Sequence, residues 1–527
     1  MWASPIVGTM PEPAADDSLT DAETLLWTLQ QDPWLSSTIA TLLICDGPID
    51  HVRLLRTTAR AIQAVPRLGE RPVAPLGRLS SPRWTTDREF DLGYHVRRIG
   101  LGRPADDTGL SEMAGLLELA ALLLQDRFDR TRPLWQLLVI EGLANGRTAL
   151  LLKLDHTLTD GLGAVRLAEY LFDAQPDASR PEPVDLAALL AERAARSTER
   201  PRGNTSVNDV GPLAEARRLL GDGLVALSDA DALVERASGF LAGLGGLAGR
   251  LSGAAGQVDL GQTRLAGSTL WAARSRRRHL LTFELPVAEV KAAGAAANAS
   301  LNDVFVSGCV LAAQRFHERR GSALERLRVS FAISTRGAES AGGNAFTPCL
   351  ADIELRSQPA ELLSVVRDEL RARRAEVGGS GLFATVAGFA KLLPGALTTQ
   401  MARSQAQMVD FATSNVRGVP QTAYVGAAEI VAAYPVGPVA GMAFNATALS
   451  YADTLYVGLH IDPVAVDEPE LLLSCLVEAF AQLGVTASTS TARSTRPAAK
   501  ASKTATAANA ANSTRSRRSP TASRPKS

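Results

Sequence analysis

Apolar and polar positions change period along the chain in a way that alternates strand and helix. The run TIATLLICDG at 38–47 is apolar until Asp-Gly stops it, and predicts a buried strand. Residues 49–68 then carry a helical pattern that Pro66 must end. YHVRRIGL at 94–101 alternates as a strand does, and 112–129 is a helix. WQLLVIEGLANGRTALLLKLDH predicts a hairpin turning at Asn145-Gly146. The next segment, 161–174, places Leu162, Val165, Leu167, Leu171 and Phe172 near one helical face.

Between about 176 and 270 the pattern loosens. ASGFLAGLGGLAGRLSGAAG at 237–256 has too much glycine for a firm helix and predicts a linker with loose helices. An interfacial amphipathic segment is the other reading of that stretch. Alternation resumes with a strand at 279–286, helices at 287–298 and 300–320, and a strand at 326–335. A strand at 454–462 and a helix at 468–484 close the pattern. The expected fold class is therefore α/β, in two halves joined by a long crossover. The expected layout is a flexible N-terminus (1–17), a first half (18–175), the linker (176–270), a second half (271–485) and a tail (486–527).

Composition changes little of this. The 527 residues suffice for two sizeable cores, and 46% are hydrophobic. Lys+Arg and Asp+Glu both number 55, which gives no sign of a nucleic-acid partner. The tail is uneven: nine basic and no acidic residues follow Val485, among Ala, Ser, Thr and Pro, so it is expected to be disordered. Cys45, Cys309, Cys349 and Cys475 lie far apart, which argues against a disulfide framework or a zinc site and fits a reducing compartment. The N-terminus has no apolar core of the kind a signal peptide needs, and no spanning helix is expected.

Several common catalytic and nucleotide-binding motifs are missing or incomplete in the sequence. GLGRPA (100–105) and GLGGLA (243–248) match a dinucleotide pattern by letter only, without the strand-turn-helix context it requires. A P-loop, a G-x-S-x-G elbow and an H-E-x-x-H pair do not occur. Of six histidines, His156 stands out, because it follows the strand TALLLKL and precedes a turn. A neutral imidazole there can take a proton from a hydroxyl at cellular pH. Asp160, four residues on, can cap the following helix or pair with an arginine. H-x-x-x-D alone is unspecific, and a histidine at a strand end is often structural.

The neighbouring motifs add weight. Pro133-Leu134-Trp135, then His156, Asp160 and Gly161, resemble the Pro-Leu-Trp and H-H-x-x-x-D-G motifs of the bacterial wax ester synthase/diacylglycerol acyltransferase family. WTTDREFDLGYHVRR resembles a second family segment, SLNDVFVSG its Asn-Asp motif at Asn302 and Asp303, and VSFAISTRG a strand ending at Arg336. The resemblance runs over about 18–484. It implies two chloramphenicol acetyltransferase-like subdomains with an active-site tunnel between them. It implies His156 as the base that activates a diacylglycerol or long-chain alcohol hydroxyl for attack on acyl-CoA. Asp160 would hold the loop with Arg336, Asn302 would meet the oxyanion or simply cap its helix, and Gly161, Pro133 and Trp135 would support the site. Acyl-CoA is a substrate in this scheme; no cofactor, metal or nucleic acid is expected. A cytoplasmic protein is implied, with peripheral association to membrane or lipid bodies left open.

One position departs from the motif: Asp155 stands where the first histidine is expected. An ionised carboxylate facing the imidazole would favour imidazolium, a poorer base; turned away, it would matter little. Two other readings stay open, a weak or inactive paralogue that binds storage lipid and a condensation-type acyltransferase.

Overall fold

The computed structural model describes residues 17–74, 82–102, 112–159, 161–199, 267–334, 346–377 and 395–489. Of the expected linker (176–270), residues 200–266 lie outside the described residues, while Leu186–Glu199 form a helix. Of the expected tail (486–527), residues 490–527 lie outside them, while Ser488–Thr489 pair with the strand His279–Pro286.

The first half contains α1 (Asp21–Leu29), β1 (Thr38–Asp46), α2 (His51–Ala64), β2 (Glu70–Val73) and β3 (Arg83–Thr86). It continues with α3 (Leu92–His95), β4 (Val96–Gly100), α4 (Glu112–Gln125), β5 (Trp135–Glu141), β6 (Thr148–Asp155), α5 (Gly161–Leu171) and α6 (Leu186–Glu199). The second half contains β7 (His279–Pro286), α7 (Val287–Ala296), α8 (Leu301–Arg319), β8 (Arg326–Ser334), β9 (Phe346–Glu354), α9 (Pro359–Val377) and α10 (Gly395–Gln407). It ends with β10 (Phe411–Arg417), β11 (Tyr424–Val425), β12 (Ala428–Val436), β13 (Phe444–Tyr451), β14 (Thr454–Ile461), α11 (Pro469–Gln482) and β15 (Ser488–Thr489).

Local chemistry explains many of these boundaries. Thr20 and Glu23 close a capping box at the start of α1, and Ser300 and Asp303 do the same for α8. The Asp50 carboxylate accepts from the Arg53 N–H and starts α2, while Val65 before Pro66 leaves the helical region and ends it. The β5–β6 turn puts Asn145 and Gly146 at φ of 59° and 69°, a backbone region that asparagine and glycine tolerate best.

Two sheets carry the fold. One has the order β11-β12-β1-β6-β5-β4, the other β15-β7-β14-β13-β10-β8-β9. The first sheet is completed from the second half: β12 runs antiparallel to β1, with Ala40 opposite Val436 and Leu42 opposite Tyr434. Each sheet has its own buried hydrophobic cluster, built around Trp135 in one and Trp271 in the other.

The sheets meet along β12. The Tyr451 hydroxyl donates to the Ile430 carbonyl, that of Tyr456 to Val431, and that of Tyr434 to the Glu284 carboxylate at 2.7 Å. Burial pushes the Tyr451 hydroxyl up to about 12, so it stays a donor. The approach is close enough to require glycine. A Cβ on Gly458 would sit 1.9 Å from the Pro435 carbonyl oxygen, and one on Gly437 would sit 2.4 Å from Thr447 Oγ1. No single described helix is long and apolar enough to cross a bilayer.

Candidate active site

β6 is the strand that presents the site. All eight of its residues are buried, and its side chains alternate between two different surroundings, as strand geometry demands. Leu152, Leu154 and His156 line a cavity of about 140 Å³ between the two sheets. Lys153 and Asp155 face the other way. The Lys153 ammonium donates to the carbonyls of Leu123 and Asp126 at the end of α4, where burial lowers its pKa to about 8.

The cavity has walls from both halves. Ile39, Thr41 and Leu43 come from β1 and Ala168 and Phe172 from the α5 region. Ser414 and Val416 of β10, Thr447 and Leu449 of β13, and Ala433 and Pro435 of β12 close it from the other side. Most of these groups are apolar, the wall chemistry that suits a hydrocarbon segment.

Register identifies which hydroxyl stands opposite the His156 end. Ala40 pairs with both Val436 and Lys153, so Gly437 follows at the level of Ile39 and Leu154. Gly437 abuts Thr447, and Thr447 pairs with Ser414. Thr447 Oγ1 already donates to Asn445 Oδ1, and Ser450 Oγ accepts from the Gly418 N–H. Ser414 is half-buried and lines the cavity at this level.

Pro133-Leu134-Trp135 holds the end of β6 in place. The Asp155 N–H donates to the Leu134 carbonyl at 3.0 Å, immediately before His156. Trp135 pairs with Leu154, and its indole N–H donates to the Leu68 carbonyl at 2.8 Å. His95 stacks on the Trp135 ring at 4.4 Å and on the Phe90 ring at 4.9 Å, and Phe90 and Trp135 are themselves 6.4 Å apart. His95 Nδ1 lies 2.8 Å from the Trp135 carbonyl oxygen, and burial lowers the imidazole pKa to about 4, so the neutral ring donates there. The sequence motif marked Trp135; only the structure places His95 beside it.

Asp155 is buried and on the face opposite the cavity. Its Oδ1 accepts from the Thr157 N–H at 2.8 Å, and it lines a separate pocket with Arg130, Trp27 and Gln30. Burial pushes its carboxyl above the usual range, against the pull of Thr157, His156 and Arg130.

Of the residues predicted from sequence, the structure brings His156 to the cavity wall and Pro133 and Trp135 to its support. Gly161 begins α5. Asp160 and Arg336 lie outside the described residues. Asn302 sits half-buried in the first turn of α8, and the residues lining the His156 cavity do not include it. Ser300 is the N-cap of that helix and Asp303 closes its capping box, so Asn302 is not the cap. The serine at 414 was missed because a hydroxyl in a strand carries no signal of what it faces across two sheets. Among the described residues, no group of three or more His, Cys, Asp or Glu could hold a metal ion.

Comparison with known proteins agrees with this architecture. Residues 36–305 match the model of the wax ester synthase/diacylglycerol acyltransferase catalytic domain, and residues 342–484 that of the corresponding C-terminal domain. A Mycobacterium tuberculosis protein provisionally named a diacylglycerol O-acyltransferase is 28% identical over 479 residues, covering 89% of this chain and 92% of its own. The wax ester synthase/diacylglycerol acyltransferase from Marinobacter aquaeolei VT8 shares the fold at a TM-score of 0.56 and 19% identity, over 88% of this chain and 98% of that one. The first condensation domain of the calcium-dependent antibiotic synthetase shares it at 0.52 and 16% identity, over 90% and 100%.

Proposed function

Because the chain belongs to the wax ester synthase/diacylglycerol acyltransferase family, we propose that it transfers an acyl group from acyl-CoA to a diacylglycerol or long-chain alcohol, with His156 as general base. One observation carries this reading: His156 stands at the end of a buried strand and lines an apolar cavity walled by both sheets.

His156 removes the hydroxyl proton of the acceptor as its oxygen attacks the thioester carbonyl. The C–O bond forms, and the carbonyl oxygen takes up the negative charge. The Ser414 hydroxyl, which lines the same cavity at the level of Leu154, is the proposed donor to that oxyanion. On collapse the C–S bond breaks, and protonated His156 returns its proton to the CoA thiolate. Atoms and charge balance without an acyl-enzyme. Apolar walls favour a lipid acceptor over an amine and exclude water that would hydrolyse the thioester.

The test is acyl transfer from palmitoyl-CoA to dioleoylglycerol and to hexadecanol, measured as CoA release and lipid product. His156→Ala should lower kcat by about a hundredfold or more, and Ser414→Ala by about tenfold to a hundredfold. Undiminished turnover by His156→Ala ends the proposed mechanism. The ratio of the two products decides the acceptor.

A further inference from the structure

A second cleft opens beside the His156 cavity, and its lining has a different chemistry. It measures about 630 Å³ and is bordered by Arg127, by Ser275 to Arg278, by Pro438 to Ala440 and by His460. None of the described residues lining it is acidic. Arg127, Arg276 and Arg277 are exposed at its rim.

The walls are held rigidly. Both the backbone N–H and the hydroxyl of Ser275 donate to the Asp462 carboxylate, and the Ser275 hydroxyl accepts from the Arg277 N–H. Arg278 Nη1 donates to the carbonyls of Ser275 and Arg277. Opposite, Asn445 Nδ2 donates to the Pro438 carbonyl and Arg274 Nε to the Gly441 carbonyl. His460 is 6% exposed. Its Nδ1 lies 2.8 Å from the Gly437 carbonyl oxygen and must donate there, which leaves Nε2 as an acceptor. That buried Nε2 has no partner among the described residues. Burial and Arg278 lower the imidazole pKa to about 3, so the ring is neutral at any working pH.

This cleft adjoins the acyl cavity. Pro438 lines both, and Thr38 at its edge pairs with Asp155, one residue from His156. A ligand spanning the two would have anionic groups at one end, a polar N–H or O–H in the middle and an apolar chain at the other. Acyl-CoA has this order: nucleotide phosphates, pantetheine amides and acyl chain. We propose that Arg276 and Arg277, with Arg127 across the cleft, bind the phosphates of free CoA, and that His460 Nε2 accepts from an N–H or O–H of the same molecule. Guanidinium groups suit phosphate through paired donors. The inference rests on the acyl-CoA reading above and adds where the nucleotide end binds.

The experiment compares CoA with pantetheine, which lacks the phosphates, in equilibrium binding to the full chain and to the Arg276→Gln/Arg277→Gln variant. Both side chains are exposed, so the fold should be kept, and circular dichroism checks this. CoA binding should weaken by about tenfold or more while pantetheine binding is unchanged. In turnover, KM for palmitoyl-CoA should rise with kcat retained, and Arg127→Gln should act in the same direction. Unaltered CoA binding in the double variant overturns the proposal, as does an equal loss for pantetheine. A higher kcat/KM for palmitoyl-carrier protein than for palmitoyl-CoA also overturns it. Binding that depends on the arginines without any acyl transfer would support this site and refute the acyltransfer reading instead.

Discussion

Asp155 and His156 are adjacent in sequence and lie on opposite faces of the first sheet. The imidazole lines the cavity between the sheets, and the carboxyl is buried in a separate pocket with Arg130. The departure from the two-histidine motif is therefore turned away from the proposed base. Asp155→His should not raise kcat, because a side chain at that position leaves the cavity unchanged. A several-fold gain in acyl transfer would show that the charge interaction between Asp155 and His156 limits the base.

The Asp155 carboxyl also sets a pH dependence of stability. Its folded-state pKa lies above the ordinary carboxylate range because of burial. The folded state then holds the proton more tightly than the unfolded chain does. Stability is full below the ordinary range and is lost as pH climbs through the folded value. Asp155→Asn can still accept from the Thr157 N–H but cannot ionise. Its melting temperature should exceed that of the native chain by more at pH 8 than at pH 4. A difference that does not vary with pH would contradict this assignment.

His95 gives the opposite slope. Its pKa is lowered from 6.5 to about 4 by burial against Phe90 and Trp135. Stability from this group is present above 6.5 and is lost as pH falls towards 4. His95→Gln should be less stable at pH 7 by about 1 kcal/mol from lost stacking. That gap should narrow in urea melts at pH 4.5, where the native ring begins to take up a proton. A constant gap would mean that His95 is not buried as a neutral ring.

Much of this site was legible in the sequence, because its parts are local. The Asn145-Gly146 turn and the apolar runs on either side fix β5 and β6 with little outside help, and period-2 alternation puts His156 and Asp155 on different faces. The strand at Ala428–Val436 shows where local reasoning stops. It lies within 271–485, yet it pairs with β1 in the first half. An apolar strand states that it will be buried, not which edge it will join. Asn302 and Ser414 illustrate the same limit. A motif named Asn302, but the cavity takes its polar lining from strands whose meeting is decided by long-range register.

Trp135 connects the motif to the site through the backbone. Its carbonyl meets His95, its indole meets Leu68, and its neighbour Leu134 accepts from the Asp155 N–H. Trp135→Phe keeps the ring stack and removes the indole donor from a buried carbonyl. It should cost about 1–2 kcal/mol in denaturant melts and leave kcat within a fewfold of native. Trp135→Ala should cost about 3–5 kcal/mol and lower kcat of the protein that remains folded, since the strand end bearing His156 loses its support. If the alanine variant kept full kcat, the motif would be a stability element alone.

The seam between the sheets offers the sharpest test of how the halves cooperate. Gly458 lies where β14 passes under Pro435 of β12, and a Cβ added there would stand only 1.9 Å from that carbonyl oxygen. The obstacle is backbone, so it cannot rotate out of the way. Gly458→Ala must move β12 away from β14, and β12 carries Pro435 and Val436 on the cavity wall. Overpacking of this kind costs about 1–3 kcal/mol, and the melting temperature should fall accordingly. The functional effect should exceed the loss of folded protein, because Ser414 and Thr447 belong to one sheet and His156 to the other. Displacing the sheets by a fraction of an ångström separates the proposed base from the proposed oxyanion donor. The expected signature is a fall in kcat of about tenfold or more at temperatures where the variant is fully folded. A destabilised variant with native kcat would show that catalysis needs only the His156 half.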